Sequence, residues 1–163
     1  MRYFIATLLI LRCFATFAQV GHNLPALRYD SAVIYSYSPQ RDNPDIIDKN
    51  GKLNQSVNQS ALLDSVTARE INNKLETSGS FNDSMGLCFD PHLAFVYYRS
   101  GKPIADIVVC LACNVFICSV NDIPKWYFAG GMTGCFQKYL RDLGVKYHLA
   151  EIQAPIKPTK KIK

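Results

Sequence analysis

Four residues of this chain combine types and spacing that could do chemistry: Cys88, His92, Cys110 and Cys113. Cys110-Leu111-Ala112-Cys113 has the C-x2-C spacing with which a tight turn offers two thiolates to one metal ion. Asn114 follows, and asparagine tolerates the left-handed backbone that such a turn often needs. Cys88 and His92 make a second pair at C-x3-H spacing. Three sulfurs and one imidazole form a closed tetrahedral set suited to structural zinc, and soft thiolates also suit Cu(I). The same residues admit other readings. In an oxidising compartment Cys88 bonds Cys113 or Cys110, and His92 is a bystander at the start of a strand. A redox-active Cys110/Cys113 pair is a third reading, although the flanking sequence lacks the βαβ context of thioredoxin-like proteins. A hydrolase built on Cys88 and His92 would require the two in hydrogen-bond contact beside a place for an oxyanion. Asp90 could orient the imidazole, and an Asp-Pro turn with Pro91 explains it as well.

These residues need a scaffold, and the intervening sequence provides one. "LAFVYY" and "PIADIVVC" are rich in β-branched and aromatic residues and flank Ser100-Gly101, a tight-turn pair, so a hairpin is expected over about 93–110. With the turn centred there, Tyr98 faces Pro103, Phe95 faces Asp106 and His92 faces Val109. Cys88 then extrapolates to the neighbourhood of Cys113. All four candidate ligands converge on the open end of the hairpin, and a one-residue slip would swap faces without scattering them.

Elsewhere, "SAVIYSYS" (Ser31 to Ser38) reads as a strand, and a short strand is expected around Lys52 to Val57 after a polar loop containing Pro39, Pro44 and Asn50-Gly51. A helix is expected over about 61–76, with Leu62, Val66 and Leu75 as apolar candidates and Thr67/Glu70 at capping-box spacing. "TSGSFNDSMG" reads as a loop, "NVFICSV" as a further strand, and "NDIPKWYFAGG" as a loop carrying the aromatic run Trp126-Tyr127-Phe128. A second helix is expected over about 132–143, because Phe136, Tyr139, Leu140 and Leu143 form one apolar stripe; Gly144 suits its C-terminal cap. Strands without an alternating βα pattern predict an α+β fold with a small antiparallel sheet.

Residues 1–18, "MRYFIATLLILRCFATFA", have a basic start, a short apolar stretch and small residues before a cut after Ala18, the pattern of a secretory signal peptide. Arg12 is a poor neighbour for lipidation of Cys13. The expected organisation is therefore a leader, a single α+β domain over 19–156 and a basic flexible tail over 157–163, exported to a periplasmic or extracellular space with no transmembrane segment in the mature chain. The formal charge of +5 is concentrated in Arg2, Arg12 and the tail lysines, which leaves the body slightly negative. That is no footprint for nucleic acid. Removing Cys13 leaves an odd number of cysteines, so a pure disulfide framework cannot use them all. Cys118 and Cys135 fit apolar surroundings or a bond to each other; His22 and His148 read as surface histidines.

No G-x-S-x-G, H-E-x-x-H or phosphate-loop motif is present, and "AGGMTG" lacks the lysine of a nucleotide loop. The pattern C-x2-P-H, aromatic strand, glycine turn, apolar strand and C-x2-C-N is carried by Cys88, Pro91, His92, Tyr98, Gly101, Cys110, Cys113 and Asn114. It resembles small exported proteins of Bacteroidota-type bacteria that have no established activity, over residues 30–145, and implies no mechanism. The expectation is an exported, non-enzymatic domain with zinc at the hairpin end. The alternatives are a disulfide-stapled interaction or inhibitor protein, or a thiol-dependent redox protein or hydrolase.

Overall fold

The computed structural model describes residues 27–39, 43–82, 86, 88–121 and 126–149. The leader with Cys13, His22 and the basic tail lie outside the described residues. Seven strands form one open antiparallel sheet: β1 Ser31–Tyr37, β2 Val57–Leu62, β3 Phe81–Asn82, β4 Leu93–Arg99, β5 Lys102–Cys110, β6 Val115–Val120 and β7 Trp126–Met132. Their spatial order is β2-β1-β4-β5-β6-β7-β3. Helices α1 (Ser65–Glu76) and α2 (Gly134–Lys146) complete the fold, which is α+β but mostly sheet. The sheet is larger than the sequence led us to expect. Trp126–Met132 is a strand and not a loop; the expected strand at 52–57 falls instead at Val57–Leu62, with Leu53 in an isolated bridge to Ile47. Phe81–Asn82, within an expected loop, pairs with the end of β7.

β4 and β5 read as unbroken apolar runs because both faces of each are covered. Ile34, Phe95, Ile107, Cys118 and Phe116 point to the helix-covered face, where they meet Ile71, Leu75, Phe136, Leu140 and Leu143. The opposite face carries Tyr35, Tyr37, Ala94, Val96 and Val108 beneath Ile46 and Ile47 of the β1–β2 connection. β4 and β5 join through Ser100 and Gly101, whose φ values of 51° and 73° are those of a primed hairpin turn. Tyr98 pairs with Pro103, but Tyr97 pairs with Ala105. Ile104 is thus an extra residue, a bulge beside a proline that has no N–H to give the ladder. Beyond it the register moves by one: Phe95 faces Ile107 and not Asp106. Asp106 thereby opposes Val96, and on its other side the regular β5–β6 ladder pairs it with Ser119.

The helices differ from expectation at their ends. α1 begins only after β2, and Asp64, not Thr67, is its N-cap. Leu62 and Val66 lie exposed, while Thr67, Ala68, Ile71 and Leu75 face the core. α2 runs through Gly144, which is buried within it, and ends at Tyr147. The helices pack antiparallel: Tyr139 Oη donates to Glu70 at 3.2 Å, and Lys146 Nζ lies 3.1 Å from Asp64. No helix among the described residues is long and apolar enough to cross a membrane.

Asp64 joins the helix ends. Its carboxylate accepts from the Thr67 N–H (2.8 Å), Thr67 Oγ1 (2.8 Å), Lys146 Nζ (3.1 Å) and Tyr147 Oη (2.9 Å). The Thr67 N–H above all, then the Thr67 hydroxyl, Lys146 and Tyr147, hold this carboxyl well below the usual carboxylate range. A depressed folded pKa contributes stability that is present above the unfolded value of about 3.9 and is lost as pH falls below it. Thermal melts of wild type and Asp64→Asn should therefore differ most near neutrality, with the variant lower, and the gap should begin to narrow below about pH 4 and close only in strong acid, beneath the depressed folded pKa. A constant gap across that range would show that Asp64 acts without its charge.

Candidate functional site

The β5–β6 connection is Leu111-Ala112-Cys113-Asn114, with Asn114 at φ 57°, the left-handed conformation that asparagine tolerates. Cys113 is bonded to Cys88 across a Cα–Cα distance of 5.8 Å. The bond ties the segment entering β4 to the β5–β6 turn. A backbone contact reinforces the tie: the Gly86 N–H donates to the Cys113 carbonyl at 2.8 Å. A Cβ at Gly86 would run into that carbonyl, so the approach requires glycine. Cys88 is exposed, whereas Cys113 is buried. Cys110, wholly buried at the end of β5, keeps its thiol, and its sulfur accepts the Cys113 N–H at 3.2 Å. Phe89 and Val115 pack against this sulfur cluster.

His92 lies at the same end of the sheet with its ring half exposed. Nδ1 is 3.2 Å from the Tyr37 carbonyl, to which it donates when protonated there, and Nε2 is 3.4 Å from Asp90 Oδ2. The imidazole thus addresses the β1 backbone and Asp90, and the Cys88 sulfur is engaged with Cys113. All four sequence candidates gather at the open end of β4–β5, but in this form two of the sulfurs are bonded to each other. Among the described residues no three His, Cys, Asp or Glu side chains are placed to hold one metal ion.

A second feature escaped the sequence reading. On the face away from the helices, a cleft of ≈ 390 Å³ opens between β5–β6 and the 45–51 loop. Val108 and Ile117 form its floor with Asp106 and Ser119, Phe89 and Ile47 contribute apolar walls, and Asp45, Asp48 and Lys49 lie at the loop side. Asp106 is only 8% exposed, and Ser119 Oγ donates to its Oδ1. A carboxylate in the middle of a sheet is costly unless hydrogen-bonded, and the Asp106–Ser119 cross-strand pair meets that need. Nearby Tyr37 donates to the Pro44 carbonyl at 2.8 Å. Burial, with Asp106 and Asp45 adding to it, pushes the Tyr37 phenol far above its ordinary range. The alternation of "IADIVV" alone could have flagged Asp106 as a polar residue at an inward position, but not which face it serves.

The remaining candidates separate. Cys118 is buried in the helix-side core, where burial raises its thiol, and Cys135 is exposed on α2, so they neither pair nor share an environment. His148 is exposed, as expected, and ends the described chain's last turn with φ 56°. Trp126, Tyr127 and Phe128 belong to β7, where Tyr127 pairs with Ser119 in the ladder. Comparison of the chain with models of known protein families, with curated proteins and with solved structures produced no match.

Proposed function

We propose that this chain is an exported, disulfide-stapled binding domain rather than an enzyme, and that the cleft over β5–β6 is its ligand site. The leader-like first 18 residues and a disulfide between two of the hairpin cysteines support an oxidising destination. The observation that carries the binding reading is the cleft itself. Its volume falls in the range of small-molecule pockets, and it combines apolar walls with a few convergent polar groups. Its described lining holds three carboxylates, Asp45, Asp48 and Asp106, against one ammonium, Lys49. That balance favours a ligand with a cationic nitrogen on an apolar body.

The test uses phenethylamine as probe and phenylacetate as its charge-reversed control, titrated into isotope-labelled mature protein. Amide resonances of Asp106, Val108, Ile117 and Ser119 should move with the amine and not with the acid. Movement with neither probe, or equally with both, counts against this reading of the cleft. Zinc at Cys88, His92, Cys110 and Cys113 is the competing proposal, favoured by the gathering of all four at one end of the sheet. It requires Cys88 and Cys113 to be reduced first, because only thiolates ligate.

A further inference from the structure

We propose that Cys88, Cys110 and Cys113 form an internal thiol–disulfide exchange site, in which the Cys110 thiol displaces Cys88 from Cys113 and delivers a free thiol to the surface at Cys88. The proposal rests on the sulfur cluster alone and does not depend on what the cleft binds. Three observations carry it. Cys110 is a free thiol within a C-x2-C turn whose other cysteine is already in a disulfide. The Cys113 N–H, three bonds from the Cys113 sulfur, points at the Cys110 sulfur across 3.2 Å. That contact holds the nucleophile beside the backbone of the cysteine it would attack. Lastly, Cys88, the residue that would be released, is exposed, while Cys110 and Cys113 are buried.

The step balances without any added oxidant. As the turn opens locally, Cys110 loses its proton to solvent, and its thiolate attacks the Cys113 sulfur. A Cys110–Cys113 bond forms as the Cys88–Cys113 bond breaks, and Cys88 leaves as a thiolate that takes up a proton. One disulfide and one thiol are present before and after. The attacking and attacked residues sit on one short turn, so little chain must be ordered to bring them together. The leaving sulfur belongs to the exposed residue of the three, so its developing charge can be solvated as it is released. The product differs from the starting form in one structural respect: the segment from Gly86 to Asp90 is no longer tied covalently to the β5–β6 turn. Phe89, which packs against the sulfur cluster and also lines the cleft, belongs to that segment. The freed Cys88 thiol is then available to disulfide-bearing or alkylating partners in solution.

The experiment holds disulfide-intact mature protein at about pH 8.5, the ordinary cysteine pKa, with iodoacetamide as an irreversible trap. Samples are quenched in acid, denatured, blocked with a second alkylating reagent and mapped by mass spectrometry. Wild type should lose the Cys88–Cys113 peptide with time and gain two species together: Cys88 carrying the first label, and a linked Cys110–Cys113 peptide. Cys110→Ser should retain Cys88–Cys113 with Cys88 unlabelled. Exposed Cys135 should be labelled in both and serves as the internal clock. The proposal is overturned if wild-type Cys88 stays linked to Cys113 long after Cys135 is labelled. It is equally overturned if Cys88 is labelled as fast in Cys110→Ser, or if Cys135 is found linked to Cys113. Should Cys110→Ser not fold, Cys88→Ser decides the matter. Exposed to glutathione disulfide, it should form the Cys110–Cys113 bond, and two free thiols at those positions would overturn the proposal.

Discussion

Cys88→Ala is expected to cost about 3.5 kcal/mol of stability, while His92→Ala costs no more than about 1 kcal/mol. The first figure follows from the separation of 25 residues between Cys88 and Cys113: the loop-closure entropy such a cross-link removes from the denatured state is a little above that for a loop of roughly 15 residues, about 3 kcal/mol, and well below that for one of roughly 100 residues, about 4.7 kcal/mol. The second follows from what His92 touches. Its ring is half exposed, its contact with Asp90 is a surface pair, and its Nδ1 contact is a single hydrogen bond to the Tyr37 carbonyl. Against a net stability of roughly 5–15 kcal/mol, the cysteine change is severe and the histidine change is minor. Urea titration of both variants measures the two costs. A reductant should bring wild type close to Cys88→Ala, and a chelator should leave it unmoved. If zinc held the site instead, His92→Ala would be as damaging as Cys88→Ala and chelator would lower the wild-type midpoint, because structural zinc contributes about 10–16 kcal/mol of apparent binding energy.

Phe116→Ala is expected to cost about 3–5 kcal/mol, the range for removing a buried aromatic ring. Phe116 has no exposed surface. Its ring stacks on Phe81 at 5.2 Å and meets Phe136 edge-on at 6.2 Å. Those three rings join β6, the short edge strand β3 and α2, so the vacancy falls where the smallest strand is held. Ile117, the next residue, points to the cleft and is only partly buried. Ile117→Ala should therefore cost clearly less, since less apolar area is already removed from water there. Thermal and urea melts of the pair check the assignment of the two faces: a larger loss at Ile117 would mean that the faces are reversed.

The redox and metal alternatives are separated by charge as well as by geometry. In the bonded form Cys88 and Cys113 carry no thiolate charge, so the hairpin end offers Cys110 and His92 as its only unbonded members of the candidate set. The exchange proposed for Cys110 keeps that count unchanged and moves the free thiol outward. It is thus compatible with a stapled domain, which holds one bridge in either state.

The sequence by itself determined the features that depend on neighbours along the chain. The runs "LAFVYY" and "PIADIVVC" declare two strands, and Ser100-Gly101 declares the turn between them. The stripe of Phe136, Leu140 and Leu143 declares α2. Because a hairpin places its two ends together, it also gathers Cys88, His92, Cys110 and Cys113 at one place. Tertiary structure decided what depends on distant partners. Trp126–Met132 opens with three strand-favouring aromatics but ends in two glycines that weaken a strand, and it becomes β7 by pairing with β6 and β3. Polar Val57–Leu62 becomes an edge strand because only one of its sides needs a partner. Leu62, an expected helix residue, instead ends β2 and is exposed, and α1 turns Ala68, Ile71 and Leu75 to the sheet while Val66 stays outside. The Ile104 bulge set Asp106 opposite Val96 and so on the cleft face, where the β5–β6 register pairs it with Ser119. Which sulfur pairs with Cys88 was likewise settled in space. Cys110 lies inside, while the left-handed turn at Asn114 and the close approach of Gly86 bring Cys113 to Cys88, and side-chain direction, unlike spacing, is fixed only when the chain is folded.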